Sequence, residues 1–208
     1  MIFSLFRRRS RQDTISTLYG TIVAQARLPC FYREYRVPDT VNGRFDLLVL
    51  HLAIVLDRLA EGSELRTMGQ ALFDRFCEDM DDNLREIGID DPSVPKEMQR
   101  IGEAFYGRAQ AYRSALGSDR DEALVAALSR NVYGGSVPQA AAPVRLAAYI
   151  RKAVRGLEAQ PPADLLAGKA ANGGPNPLMF LLKAKVTGQK TETDAEKPIP
   201  VERAGGRR

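Results

Sequence analysis

The stretch Asp46–Leu59, which reads DLLVLHLAIVLDRL, limits what this chain can fold into more than any other. The ten residues from Leu47 to Leu56 carry no formal charge, and only His51 interrupts the apolar run. Periodicity alone does not separate helix from strand in so short a run, but the flanks do. Asp46 stands near its start and Arg58 near its end, which suits a helix dipole. Leu and Ala outnumber the β-branched residues, and neither Gly nor Pro follows until Gly62. A helix that is apolar all round must be buried on nearly every side. It is too short to cross a bilayer, which takes about 20 apolar residues. The expectation is an all-α domain, a single helical bundle closed around this rod.

A chain of 208 residues with 44% apolar residues can bury a real core in one domain. Its charge is unevenly spread. Arg7, Arg8, Arg9 and Arg11 contribute +4, and the stretch from Lys183 onward contributes +3, so a whole-chain charge of +4 leaves residues 12–182 at −3. Basic ends around an acidic body can touch phosphate, on a ribosome or an anionic membrane surface, or simply keep the protein in solution. DNA is not expected as a partner. Cys30 and Cys77 are too few for a disulfide framework or a cysteine-rich metal site. The opening MIFSLF precedes its arginines, the reverse of a secretory signal. This points to a cytoplasmic protein, with Ile2, Phe3, Leu5 and Phe6 available to hold it peripherally at a membrane.

Four segments follow: a basic N-terminal segment (1–12), a helical domain (13–160), a weakly structured helical extension (161–186) and a disordered tail (187–208). Asp13 or Thr14 can cap a first helix ending near Ala26, whose inner face carries Ile15, Leu18, Tyr19 and Ile22. Pro29, Pro38, Asn42 and Gly43 mark the next stretch as turns, with Cys30–Tyr35 either extended or one short helix. After Gly62, a stripe of Leu72, Phe73, Phe76, Met80, Leu84 and Ile87 opposes Asp74, Glu78, Asp81, Asp82 and Arg85, and Gly88 ends that helix. Another helix is expected from Val94 to Leu116 with Ile101, Phe105, Ala109 and Tyr112 inward. A further one carries Leu124 and Leu128. The last opens near Pro143 and carries Leu146, Ile150, Val154 and Leu157. Leu165–Leu166 and Leu178–Leu182 can each add a helical turn.

Chemistry-bearing patterns are sparse. Glu78-Asp79-Met80-Asp81-Asp82 places carboxylates one helical turn apart. That arrangement can bind Mg²⁺ and through it a diphosphate, or form a charged docking face softened by Arg75 and Arg85. A facing second cluster is wanting, since Asp90-Asp91 reads as a turn. His51 has no second histidine for haem or di-iron and reads as a hydrogen-bonded core residue. No nucleotide fingerprint or nucleophile elbow occurs. Cys30 is expected in a loop, where it could react, and Cys77 is expected packed beside the apolar stripe. Gly107, inside the helix containing Phe105-Tyr106-Gly107-Arg108, costs roughly 1 kcal/mol relative to Ala; close approach of another backbone, within the fold or from a partner helix, is a reason to keep it. No catalytic residue, metal or cofactor is expected.

The residues also carry a resemblance. Ala26-Arg27-Leu28-Pro29 with Phe31-Tyr32, Val37-Pro38-Asp39-Thr40, Gly43-Arg44-Phe45 and Leu50-His51 are followed by Phe73–Cys77, Asp79–Gly88, Val94-Pro95-Lys96 and Phe105-Tyr106-Gly107-Arg108. In order and spacing these resemble the ubiquinol–cytochrome c chaperone family, assembly factors of respiratory complex III, over about Ser16 to Tyr133. The resemblance implies an all-helical protein that is not an enzyme. It implies cytochrome b or an early complex III intermediate as client, a small partner protein, and contact near the ribosomal exit. The lack of a long presequence suggests a bacterial member in the cytoplasm, peripheral at the inner membrane. Residues from Pro138 onward lie outside the resemblance.

A chaperone for a membrane protein needs an exposed apolar groove with a polar rim. The candidate partner-binding residues are Phe31, Tyr32, Tyr35 and Tyr106 for the groove, and Glu78, Asp81, Asp82, Arg85 and Arg108 for the rim. Two other functions fit parts of the sequence: a Mg²⁺-dependent all-α enzyme acting on an isoprenoid diphosphate, and a peripheral lipid-binding protein anchored by residues 1–11.

Overall fold

A helix apolar on every side needs neighbours on every side, and the computed structural model supplies them. It describes residues 2–135 and 141–161, with side chains from Gln12 onward. Seven helices occur there: α1 (Ile2–Ala26), α2 (Pro29–Arg33), α3 (Val41–Leu59), α4 (Ser63–Glu86), α5 (Val94–Leu116), α6 (Asp121–Asn131) and α7 (Ala141–Glu158), with no strand among the described residues. α3 packs against α1, α4, α5 and α7, and α6 bridges α5 and α7. Every residue from Asp46 to Val55 is buried. Full burial of a Leu such as Leu47, Leu50 or Leu52 contributes about 1.5–3 kcal/mol, so the rod is the main source of cohesion.

The helix boundaries follow local chemistry. Thr40 caps α3, its hydroxyl accepting from the Gly43 amide at 3.1 Å. Asn42 and Gly43, expected in a turn, therefore lie in the first turn of α3. Gly43 is required there because a Cβ would stand 2.0 Å from the Pro38 carbonyl oxygen. Pro29 opens α2, where its missing amide is harmless, so Cys30–Arg33 is helical. Cys30 is 1% exposed and lies in the core, which corrects the expected loop position. At the end of α4 the Ile89 amide bonds the Leu84 carbonyl at 3.0 Å and the Gly88 amide bonds Arg85, with Gly88 at φ +88°. This is the Schellman arrangement that a glycine permits.

α1 departs from expectation. It does not start at Asp13 but runs unbroken from Ile2. Arginine is a good helix former, and no Gly or Pro falls between Ile2 and Asp13. The Asp13 carbonyl accepts from the Thr17 hydroxyl at 2.8 Å, as an interior helical residue does. The turns expected at Leu165–Leu166 and Leu178–Leu182, and the tail from 187, lie outside the described residues.

Arginines join distant elements. Arg58, 9% exposed, donates from Nε to the Leu157 carbonyl at 3.2 Å and from Nη2 to that of Gln160 at 3.1 Å. It thus caps the C-terminus of α7, where a cation complements the helix dipole. Arg151 donates from Nη2 to the Ser118 carbonyl at 2.6 Å and pairs with Asp121, fastening α7 to the α5–α6 connection. No described helix is long and apolar enough to cross a membrane.

Candidate functional site

Two aromatic clusters flank α3. In the first, the His51 side chain is wholly buried and hydrogen-bonded at both nitrogens. Nδ1 lies 2.7 Å from the Leu47 carbonyl, which can only accept, so Nδ1 carries the proton. Nε2 then accepts from the Tyr149 hydroxyl at 2.9 Å, and that hydroxyl accepts from Gln25 Nε2 at 2.9 Å. The chain Gln25–Tyr149–His51 joins α1, α7 and α3. Burial pushes the imidazole down to about 4, partly offset by the Leu47 carbonyl. Phe31 packs edge-on against both the His51 and Tyr149 rings at 5.2 Å and is 1% exposed. His51 is thus a core residue, as its setting in an apolar helix implies.

The second cluster is open. Phe73 of α4 lies 5.0 Å from Phe105 and 5.6 Å from Tyr106 of α5, ring centre to ring centre. Phe76 and Phe105 are buried beneath, while Tyr106 is 62% exposed. Phe73, Phe105 and Tyr106 end a groove of about 250 Å³ where α3, α4 and α5 meet. Its floor continues through Ala53, Leu56 and Leu59 of α3 and Ala109 of α5. Gly69 lets α4 approach so closely that an added Cβ would lie 3.3 Å from Leu59 Cβ. Arg66, Gln70, Gln110 and Arg113 form the polar edge, and no carboxylate lines the groove.

The structure separates the residues that the sequence groups. Tyr106 lines this groove; Phe31, Tyr32 and Tyr35 do not. Phe31 has no surface to offer a partner. Tyr35 is half-buried, 5.5 Å from the Phe31 ring, and its carbonyl accepts from the Tyr133 hydroxyl at 2.7 Å. Tyr32 donates to the Ala26 carbonyl at 3.3 Å, with the Arg44 guanidinium over its ring.

Arg108, expected at the rim, turns inward. Its Nη2 lies 2.9 Å from Asp46 Oδ1 and its side chain is 26% exposed. Burial holds the Asp46 carboxyl above its ordinary range, and Arg108 offsets only part of that rise. Rim expectations based on charge alone miss such a pair because Asp46 and Arg108 are far apart in sequence.

The acidic run on α4 diverges. Asp79 accepts from the Tyr19 hydroxyl of α1 at 2.8 Å. Asp81 pairs with Arg85 at 2.7 Å, and Arg85 also pairs with Asp91. Glu78 faces Arg75 at 3.6 Å and borders a wider, polar groove between α1 and α4, while Asp82 stays exposed. Among the described residues, no three His, Cys, Asp or Glu side chains converge to hold a metal ion. The geometry therefore gives no support to a Mg²⁺–diphosphate reading of this run.

Gly107 lacks the internal contact expected of it. A Cβ added there, or at Gly102, meets nothing within 4 Å. Neither glycine serves packing in the described fold, although each costs about 1 kcal/mol in a helix interior. Gly102 stands one turn before Tyr106 on the same side of α5, beyond the groove lining. Arg66, Gln70, Gln110 and Arg113 carry no local sequence mark of the groove; the signal the sequence does hold is Tyr106 set between two helical glycines.

The described residues thus form an all-α bundle with an open apolar groove where α3, α4 and α5 meet. The chain belongs to the ubiquinol-cytochrome C chaperone family, whose sequence model matches residues 33–172. That family consists of assembly chaperones and not of enzymes. The match reaches past Tyr133, where the resemblance read from the sequence ends, and takes in α7. The crystal structure of the Cbp3 homolog from Brucella abortus aligns with a TM-score of 0.73 at 37% identity, covering 81% of this chain and 94% of that one. Ubiquinol-cytochrome-c reductase complex assembly factor 1 of Xenopus laevis is 30% identical over 137 residues, 65% of this chain and 68% of that protein. Its Drosophila melanogaster counterpart is 28% identical over 71% of this chain and 59% of that protein, and the human one 27% identical over 72% and 50%. The chain thus spans about half to two thirds of the length of the curated relatives it matches.

Proposed function

We propose that this chain is a non-enzymatic assembly factor of the ubiquinol–cytochrome c oxidoreductase, respiratory complex III, and that it holds newly made cytochrome b or an early intermediate. The observation that carries this reading is the family match over most of the bundle, α3 to α7 included. The assembly-factor names of the relatives support it, and the α3–α4–α5 groove supplies a surface suited to holding. Apolar floor and polar edge are what a client with exposed apolar segments requires until it is inserted or loaded. In this reading residues 13–160 form the chaperone domain. The basic segment 1–12 touches an anionic membrane or ribosomal surface, and 161–186 and 187–208 are an extension and a tail. The protein works in the cytoplasm, peripheral at the inner membrane, with a small partner protein.

Deleting the gene and measuring complex III activity together with cytochrome b haem spectra tests the role. Loss of both, restored by the wild-type chain, is expected. Normal activity and normal spectra would overturn it.

A further inference from the structure

We infer that the α3–α4–α5 groove receives one helix of a client polypeptide, apolar on its buried side and flanked by carboxylates, whose backbone crosses α5 closely at Gly102. This rests on the holding role proposed above and names the chemistry of what is held. The size of the groove comes first. At about 250 Å³ it falls below the roughly 300–1,000 Å³ of small-molecule sites. An apolar cavity of about 150 Å³ takes a benzene ring, so this groove suits one or two anchoring side chains of a polypeptide. The described residues provide no strand edge to extend, and a shallow apolar groove between helices suits a helix laid into it by its apolar face.

Charge gives the flanks. Arg66 and Arg113 stand at the edge beside Gln70 and Gln110, and the nearest carboxylates, Asp74 on Gln70 and Asp57 on Arg113, lie outside the lining. Arg113 is already paired with Asp57, yet both remain about half exposed, so a client carboxylate can share the guanidinium. The same edge disfavours the chain's own apolar run Leu178–Leu182, which is followed by Lys183 and Lys185. Gly102 supplies the approach. It lies one turn before Tyr106 on the same side of α5, just beyond the residues that line the groove, with open space where a Cβ would stand. Gly107 has the same open space but is rotated away from the groove centre, since successive residues turn by one part in 3.6.

The chain contains no Trp, so a probe peptide carrying one reports its own burial by fluorescence. Two 18-residue helical peptides with the same Leu and Trp anchors, one flanked by Glu and one by Lys, are titrated against the full chain. The Glu-flanked peptide is expected to bind at least about tenfold more tightly, because like charges at the edge are penalised. Gly102→Ala and Gly107→Ala should each raise the Tm of the free protein by a few degrees. Only Gly102→Ala should weaken the Glu-flanked peptide, by about tenfold, and Tyr106→Ala should weaken it likewise. Equal affinity for the two peptides, or an unchanged affinity in Gly102→Ala, would overturn the inference. So would a dimer dispersed by Tyr106→Ala, which assigns the groove to a second copy. A full-chain Leu178→Ser/Phe180→Ser variant with tighter peptide binding would assign it to the chain's own segment. If deletion abolishes complex III while the peptides fail, the assembly role stands and only the groove assignment falls.

Discussion

The two aromatic clusters beside α3 are built from similar residues and end differently. Around His51, the rings of Phe31, Tyr35 and Tyr149 close on one another, and the Gln25–Tyr149–His51 chain crosses three helices. Around Phe73, the rings of Phe76 and Phe105 are covered but Tyr106 and the groove beside it are not. The difference lies in what lies on top. α7 brings Tyr149 over the first cluster and is held along α3 by Arg58. Arg113 and Gln110 only edge the second. Composition therefore does not distinguish a sealed core from an open groove; the presence of a covering helix does.

The largest effect expected from this contrast is on the sealed side. Phe31→Ala removes a ring in contact with Tyr35, His51 and Tyr149. Truncation of a buried Phe typically costs about 3–5 kcal/mol. Urea unfolding should show a loss of that size with little change in m-value. A loss under about 1 kcal/mol would mean that the first cluster is not closed and that the comparison is misdrawn.

The next effect is pH-dependent and sharpens the same contrast. His51 titrates near 6.5 when unfolded and is held down to about 4 when folded. Its folded value is depressed, so the native state keeps it neutral while the unfolded chain takes up a proton. Stability from this source is complete above about pH 6.5 and falls as pH drops from there toward 4, by up to about 3 kcal/mol. Carboxylates titrate in the same window, so the measurement is a difference. His51→Gln should be less stable at neutral pH, yet its stability should decline less steeply between pH 6.5 and 4 than that of the wild type. Parallel curves would show that water reaches the imidazole.

How much of this could be read from the sequence varies by element. Helix periodicity and capping residues are local, so α5 from Val94 to Leu116 and the Gly88 end of α4 were legible. The burial of Asp46–Val55 followed from its lack of any polar face. The start of α1 was not legible, because Asp13 can cap a helix or continue one, and only the residues before it decide. The site was legible only at Tyr106. Phe31 and Tyr106 look alike in sequence, and what separates them is Tyr149, which lies far along the chain. Arg108 reads as surface charge until Asp46 is placed beside it. The groove is a property of three helices meeting, so Arg66, Gln70 and Arg113 carry no local mark of belonging to it.

The smallest stability effect belongs to the open side, and it tests the comparison most directly. Tyr106 is 62% exposed and touches the rings of Phe73 and Phe105 with one side only turned to the protein. An aromatic pair is worth about 0.5–1.5 kcal/mol beyond its buried area. Much of that requires both rings to be withdrawn from water, which Tyr106 is not. Tyr106→Ala should therefore lower the unfolding free energy by less than about 1 kcal/mol, within the range of surface substitutions that break no named contact. The measurement is the urea midpoint beside that of Phe31→Ala under identical conditions. If the two substitutions cost the same, Tyr106 is load-sharing core and the groove is shut in solution. If Tyr106→Ala is nearly silent in stability but impairs complex III assembly in cells, the residue is kept for what it touches outside the fold.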